Sequence, residues 1–130
     1  LVDECDIEYH DFNENTFFDI LSECDIGLYM VKSDEESKGK MAMKVLDYQS
    51  AGLPCIATPS GLSSYVKDND NILLSNEENE WIKKLTKLFD NKSLRKKLGE
   101  NGFEMVKKHH SIEKSYIEFK ELNNINTCVE

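Results

Sequence analysis

Basic residues are in deficit: 16 Lys plus Arg stand against 25 Asp plus Glu in 130 residues, a formal net charge of −9. That deficit argues against general nucleic-acid binding, which needs a basic footprint to meet phosphates. Long apolar runs are missing too, so no stretch reads as a membrane span or as the apolar region of a secretory leader. The four cysteines, Cys5, Cys24, Cys55 and Cys128, form no C-x-x-C and no Cys–His pattern at zinc spacing. They imply a reduced, cytoplasmic protein without a structural metal, with Cys24 and Cys55 acting as small core hydrophobes. What is present is an apolar fraction of 39% and an aromatic fraction of 9%. This supports one compact domain with its own core and is too much for a disordered acidic tail. The chain opens on Leu1-Val2-Asp3 and reads as a piece of a longer protein.

Hydrophobic spacing orders the chain. Ile7-Glu8-Tyr9-His10 reads as a short first strand. Asn13, Asn15 and Thr16 offer N-cap oxygens to an amphipathic helix carrying Phe17, Phe18, Ile20, Leu21 and Cys24. Residues 25–30 read as a buried strand, followed by a polar loop over 32–40 and an apolar helix over 41–51. Gly52-Leu53-Pro54 stops that helix and leads into a strand at 55–58. Pro59-Ser60-Gly61 turns into a short helix ending near Lys67, and residues 71–74 form the last strand. From Glu77 the period becomes helical: Trp81, Leu85 and Leu88 on one helix, Leu94, Leu98 and Met105 on a second, Ile112, Tyr116 and Phe119 on a third. This order predicts an α/β fold, a Rossmann-like parallel sheet of about four strands with helices on both faces and a helical C-terminus. One domain is expected over 1–122, with a frayed tail at 123–130.

In open parallel sheets, ligands bind beyond the carboxyl ends of the strands. Two loops leave such ends here. The first holds Lys32, Lys38, Gly39 and Lys40, with Lys44 on the helix that follows. A helix running back through Lys40 puts Lys40, Lys44 and Asp47 on one face, a narrow polar stripe beside Met41, Ala42, Val45, Leu46 and Tyr48. A stripe beginning at a helix N-terminus suits an anionic group, and Asp47 can accept hydrogen bonds from sugar hydroxyls. A solvated stripe on a covering helix is the plainer alternative. The second loop, Thr58-Pro59-Ser60-Gly61, offers hydroxyls and a glycine that lets backbone approach a ligand. His109 and His110 diverge by about 100° on a helix, so they share no metal there and read as surface residues. Asp34-Glu35-Glu36 lacks the spacing of a calcium loop.

Taken in order, Asp25-Ile26-Gly27-Leu28, Lys38-Gly39-Lys40, the run from Lys44 and Asp47 through Gly52-Leu53-Pro54-Cys55-Ile56-Ala57-Thr58 to Gly61, and Asn69-Asp70-Asn71-Ile72-Leu73-Leu74 carry a likeness. They resemble the C-terminal, donor-binding domain of GT-B glycosyltransferases of the large retaining group 1 family (family 4). The closing helices, with Trp81, Leu88, Asn91, Leu98 and Gly102, extend the likeness over most of the chain. The resemblance implies transfer of a sugar, with retention, from a nucleotide sugar to a glycan or lipid-linked saccharide in polysaccharide biosynthesis. It implies no metal or other cofactor, and a cytoplasmic parent, peripheral at the inner membrane face. The acceptor domain and the first donor-domain strands would precede Leu1. The implied donor-site residues are Lys38, Gly39, Lys40, Met41, Ala42, Asp47, Thr58, Ser60 and Gly61; Lys44 joins them on helix spacing. Family members commonly carry two glutamates with seven residues between them. Asp47 takes the place of the second, which contacts the ribose, and Gly39 that of the first, so the contact to the donor sugar is not reproduced and no catalytic residue is assigned.

Two other classes compete. A phospho-acceptor receiver domain is also acidic, α/β and of this length, but it needs an acidic pair after its first strand and a late Lys-Pro, which this sequence lacks. A non-catalytic interaction module fits the loss of the first glutamate. On the glycosyltransferase reading these residues alone transfer no sugar. The strand at 25–30 is expected to present an open edge, because its family neighbour would lie upstream. Residues 7–10 are expected to move in beside it, with weak self-association of the chain in addition. Tyr116 and Phe119 on the final helix are expected to lose partners.

Overall fold

The computed structural model describes residues 6–32, 34 and 39–122. Along the chain come helix α1 (Phe17–Ser22), strand β1 (Gly27–Tyr29), helix α2 (Met43–Ser50) and strands β2 (Cys55–Ala57) and β3 (Leu73–Leu74). Helices α3 (Glu78–Asp90), α4 (Lys92–His109) and α5 (Ile112–Leu122) close it. The strands make one parallel sheet in the order β1-β2-β3. Gly27, Leu28 and Tyr29 lie beside Cys55, Ile56 and Ala57, and the last two beside Leu73 and Leu74. The class is the α/β arrangement that the periodicity predicts.

Alternation along the strands builds two cores. Cys55, Ala57 and Ile72 turn toward α2, where Ala42 and Val45 close the layer. Ile56 and Leu73 turn the other way, onto Trp81, Leu88 and Leu98. β2 is therefore covered on both faces, with Cys55, Ile56 and Ala57 each 0% exposed, which is why its sequence is an unbroken apolar run. Each fully buried leucine or isoleucine contributes about 1.5–3 kcal/mol through burial.

α2 ends at a glycine. With φ +74° at Gly52, Leu53 N–H reaches Tyr48 O (2.9 Å) and Gly52 N–H reaches Gln49 O (3.0 Å), the paired bonds of a Schellman ending. The Gly52 carbonyl then rests against Gly99 of α4, where any Cβ would overlap it. One turn on, Gly102 leaves room for Gln49, whose Nε2 donates to Asn71 O at 2.9 Å in full burial.

The sheet is shorter than expected. Residues 7–10 form no strand: Ile7 and Tyr9 are 56% and 89% exposed, and Glu8 pairs with His10 at 3.2 Å. Alternation decides which side chains share a face, but a strand exists only where a neighbour takes its backbone hydrogen bonds. No described strand lies beside this segment, so among the described residues the sheet has three strands rather than about four, and residues 7–10 do not move in beside β1. Among the described residues β1 has β2 on one side only: Gly27 N–H donates to Pro54 O and Tyr29 O accepts from Thr58 N–H. Leu28, between them, turns its amide and carbonyl outward.

The short helix expected up to Lys67 is also absent. Asn71 Nδ2 donates to Tyr65 O (3.1 Å), Asn71 Oδ1 accepts from Lys67 N–H (2.8 Å), and Tyr65 N–H donates to Ser63 Oγ (3.3 Å). Such side-chain bonds offer the backbone an alternative to the helix, while Leu62 and Val66 still pack on the core as their spacing requires. α1 stops at Ser22, so Cys24 lies past its apolar face and is exposed rather than in the core. In α5 no residue is buried, and Tyr116 and Phe119 are 53% and 56% exposed. Lys38 and the tail at 123–130 lie outside the described residues.

Candidate functional site

The two loops singled out in the sequence meet beyond the carboxyl ends of β1 and β2. Gly61 O accepts Ala42 N–H at 2.8 Å. Gly61 holds φ +65°, and a Cβ there would overlap the Lys40 carbonyl oxygen. Only glycine satisfies both conditions at low cost. Thr58 ties in the chain leaving β1, its Oγ1 accepting from Val31 N–H at 3.3 Å. Ser60 N–H then donates to Thr58 O at 2.7 Å. This tight turn leaves Ser60 only 5% exposed, and its Oγ has no hydrogen-bond partner among the described residues. A buried hydroxyl left unpaired costs about 1–3 kcal/mol, so this atom is suited to a polar ligand group.

α2 begins beside that turn. Ala42 is its N-cap and supplies no side-chain cap, so the positive end of the helix is not covered from its own cap residue. Lys40 precedes the helix. The expected stripe of Lys40, Lys44 and Asp47 is therefore not one helical face; only Lys44 and Asp47, three apart, share a turn. Asp47 is half-buried, and burial pushes its carboxyl above the usual 3.8 while the Lys44 ammonium pulls it back. The backbone amide of Ala42, one of the implied donor-site residues, is already committed to Gly61 O. Gly39, Lys40 and Met41 are exposed beside the turn.

An apolar groove of about 850 Å³ opens next to Thr58, lined by Leu28, Met30, Trp81, Ile82 and Leu85 with Lys32 and Glu77 at its rim. A more polar cavity of about 600 Å³ lies by Tyr65, Asp70, Asn101 and His109. The two histidines are not simple surface residues. His110 Nε2 lies 2.8 Å from Ser63 Oγ, and the His109 ring stacks on Tyr65 with centroids 3.7 Å apart at 12°. Their position at the end of an amphipathic helix was readable; what they meet was not, since Ser63 and Tyr65 lie more than forty residues earlier. Cys55 supplies no nucleophile, because burial pushes its thiol up to about 12. Among the described residues no group of three His, Cys, Asp or Glu gathers as metal ligands, and no helix is long and apolar enough to cross a membrane.

In open parallel α/β sheets, ligands bind beyond the carboxyl ends of the strands, where these two loops and the start of α2 meet. A family model described as "Glycosyl transferase-like" matches residues 7–121, and the chain belongs to that family. Its fold is similar to the C-terminal domain of a glycosyl transferase group 1 family protein (LpcC) from Francisella tularensis, a 1.35 Å crystal structure. The TM-score is 0.68 at 21% identity over 82% of this chain and 53% of that one, so this chain spans about half the length of that structure. No curated protein matches the chain.

Proposed function

We propose that this domain is the donor-binding part of a retaining glycosyltransferase. It would hold a nucleotide sugar where residues 39–42, the α2 N-terminus and Thr58, Ser60 and Gly61 meet. The observation that carries this reading is the junction of the two loops: Gly61 locks onto Ala42 and Lys40, and the Ser60 hydroxyl is buried there without a partner. In such a site Ser60 Oγ would bond a donor oxygen, Lys40 and Lys44 would offset the charge of the diphosphate, and the α2 N-terminus would add its partial positive charge. Stabilising the diphosphate as it leaves is what lowers the barrier to sugar transfer. Asp47, with its carboxylate on the same helix, would accept from ribose hydroxyls. Lys38 would add a further cation.

A second domain of the parent chain would present the acceptor, a glycan or lipid-linked saccharide, in the polysaccharide biosynthesis of a cytoplasmic enzyme peripheral to the membrane. Holding donor and acceptor together can supply about 7–11 kcal/mol of the barrier, so the 130-residue chain alone transfers no sugar. No metal takes part in this reading. Calorimetric titration with UDP-glucose, GDP-mannose and ADP-glucose tests it; saturable binding of one of them is the expected outcome, and silence toward all three rejects it.

A further inference from the structure

The segment that carries Ser60 and Gly61 continues through 62–67 without a helix, so its position depends on side-chain contacts to elements remote in sequence. At its front, Gly61 O accepts from Ala42 N–H. At its back, Ser63 meets His110 at the end of α4, Oγ to Nε2, 2.8 Å apart, and Tyr65 lies flat on His109. Ser63 Oγ also accepts from Tyr65 N–H at 3.3 Å. The hydroxyl is thereby aimed by its own turn before it meets the imidazole.

We propose that Ser63 and His110 are positioning residues for the candidate donor site, holding the 58–66 loop so that Ser60 Oγ and the Gly61 carbonyl keep their places. The proposal rests on the donor-site reading above. Ser63 follows Gly61 by two residues, a span of at most about 7 Å, so fixing Ser63 restricts Gly61 directly. Ser63 Oγ donates to Nε2 when the ring hydrogen is on Nδ1 and accepts from Nε2 when the hydrogen is there. The α4 end therefore acts on the loop as a fixed strut. Neither residue is among those proposed to hold the donor.

The test compares His110→Ala, Ser63→Ala, the double variant and His110→Gln in the 130-residue chain. Two readouts are used: amide hydrogen exchange over 58–66, and calorimetric titration with UDP-glucose, GDP-mannose and ADP-glucose. Either alanine is expected to speed exchange in 58–66 while leaving β2 and α3 protected. Either should raise the Kd of whichever nucleotide sugar binds by about three- to tenfold, the usual size of one lost side-chain hydrogen bond. The double variant should be no worse than either single one. His110→Gln, which keeps a nitrogen donor near the Nε2 position, should recover most of the loss. Exchange over 58–66 unchanged in both alanine variants overturns the strut. So does an unchanged Kd, or a glutamine variant as poor as alanine. If the wild type ignores all three nucleotide sugars, the donor reading fails and the positioning role fails with it, while the exchange data still report whether the pair orders the loop.

Discussion

Gly52 and Gly61 both sit at positive φ, +74° and +65°, but their surroundings differ. A Cβ added at Gly52 meets nothing within 4 Å, whereas at Gly61 it would overlap the Lys40 carbonyl oxygen and come within 3.4 Å of Ala42 N. Alanine at either position pays about 1–2 kcal/mol for a left-handed conformation. It regains about 0.4–1 kcal/mol because the unfolded chain is less free than with glycine. Gly52→Ala should therefore cost about 0.5–1.5 kcal/mol. Gly61→Ala carries the same term and also forces residues 40–42 away, which adds an overpacking cost of about 1–3 kcal/mol. Part of that cost is the Ala42 N–H bond to Gly61 O, 2.8 Å in the wild type. The total at Gly61 is about 1.5–4.5 kcal/mol. Urea denaturation of the two variants beside the wild type, followed by far-UV circular dichroism, measures both. Equal losses at the two glycines, or a larger loss at Gly52, would show that the two loops do not press together and would refute the geometry on which the site is built.

Further outcomes follow from single groups. Asp47→Asn should weaken nucleotide-sugar binding by about 1–3 kcal/mol, the cost of leaving one polar partner unsatisfied; an unchanged dissociation constant in calorimetry removes Asp47 from the site. His109 has its ring held below the usual 6.5 by desolvation first, then by Lys108, His110 and Lys114, against a smaller opposing pull from Glu118. Its folded pKa is lowered, so its contribution to stability is present above about 6.5 and is lost as pH falls through the folded value. Thermal melts in steps from pH 7.5 to 5.0 should show a smaller decline in His109→Gln than in the wild type, and identical slopes would dismiss the effect. The Cys55 thiol, buried and pushed up to about 12, should resist iodoacetamide in the native protein while exposed Cys24 is labelled, as read by peptide mass mapping; rapid labelling of Cys55 would contradict its burial.

Much of the fold is legible in the sequence because the relevant signals are local. The apolar run at Cys55-Ile56-Ala57 sits between Gly52-Leu53-Pro54 and Pro59-Ser60-Gly61, and it marks the central strand and both its ends. Trp81, Leu88 and Leu98 recur at helical spacing and do form one side of the core. Ile7 and Tyr9 alternate just as clearly, yet no described strand lies beside them, and alternation carries no information about neighbours. The segment after Gly61 has helical spacing but no helix, because Asn71, several residues downstream, binds its backbone in place of a helical partner. For the candidate site, motif order indicates which loops converge, and they do. What it could not reveal is the cost of convergence: Lys40 lies outside the helix, and Ala42 gives its amide to Gly61 rather than leaving it for a ligand.

The contact of Gly99 with the Gly52 carbonyl has a mechanical meaning. It is a fulcrum, since two backbones without side chains touch there and neither can compress. From Gly99 to His110 the lever arm is eleven residues, about 16 Å at 1.5 Å per residue. A tilt of about 5° at the fulcrum would swing the far end by about 1.4 Å on that arm, half the length of the bond that joins His110 to Ser63. One of the two glycines of α4 thus bears on the aim of its tip, and a larger residue at position 99 would displace Gly52 at the contact and His110 at the far end.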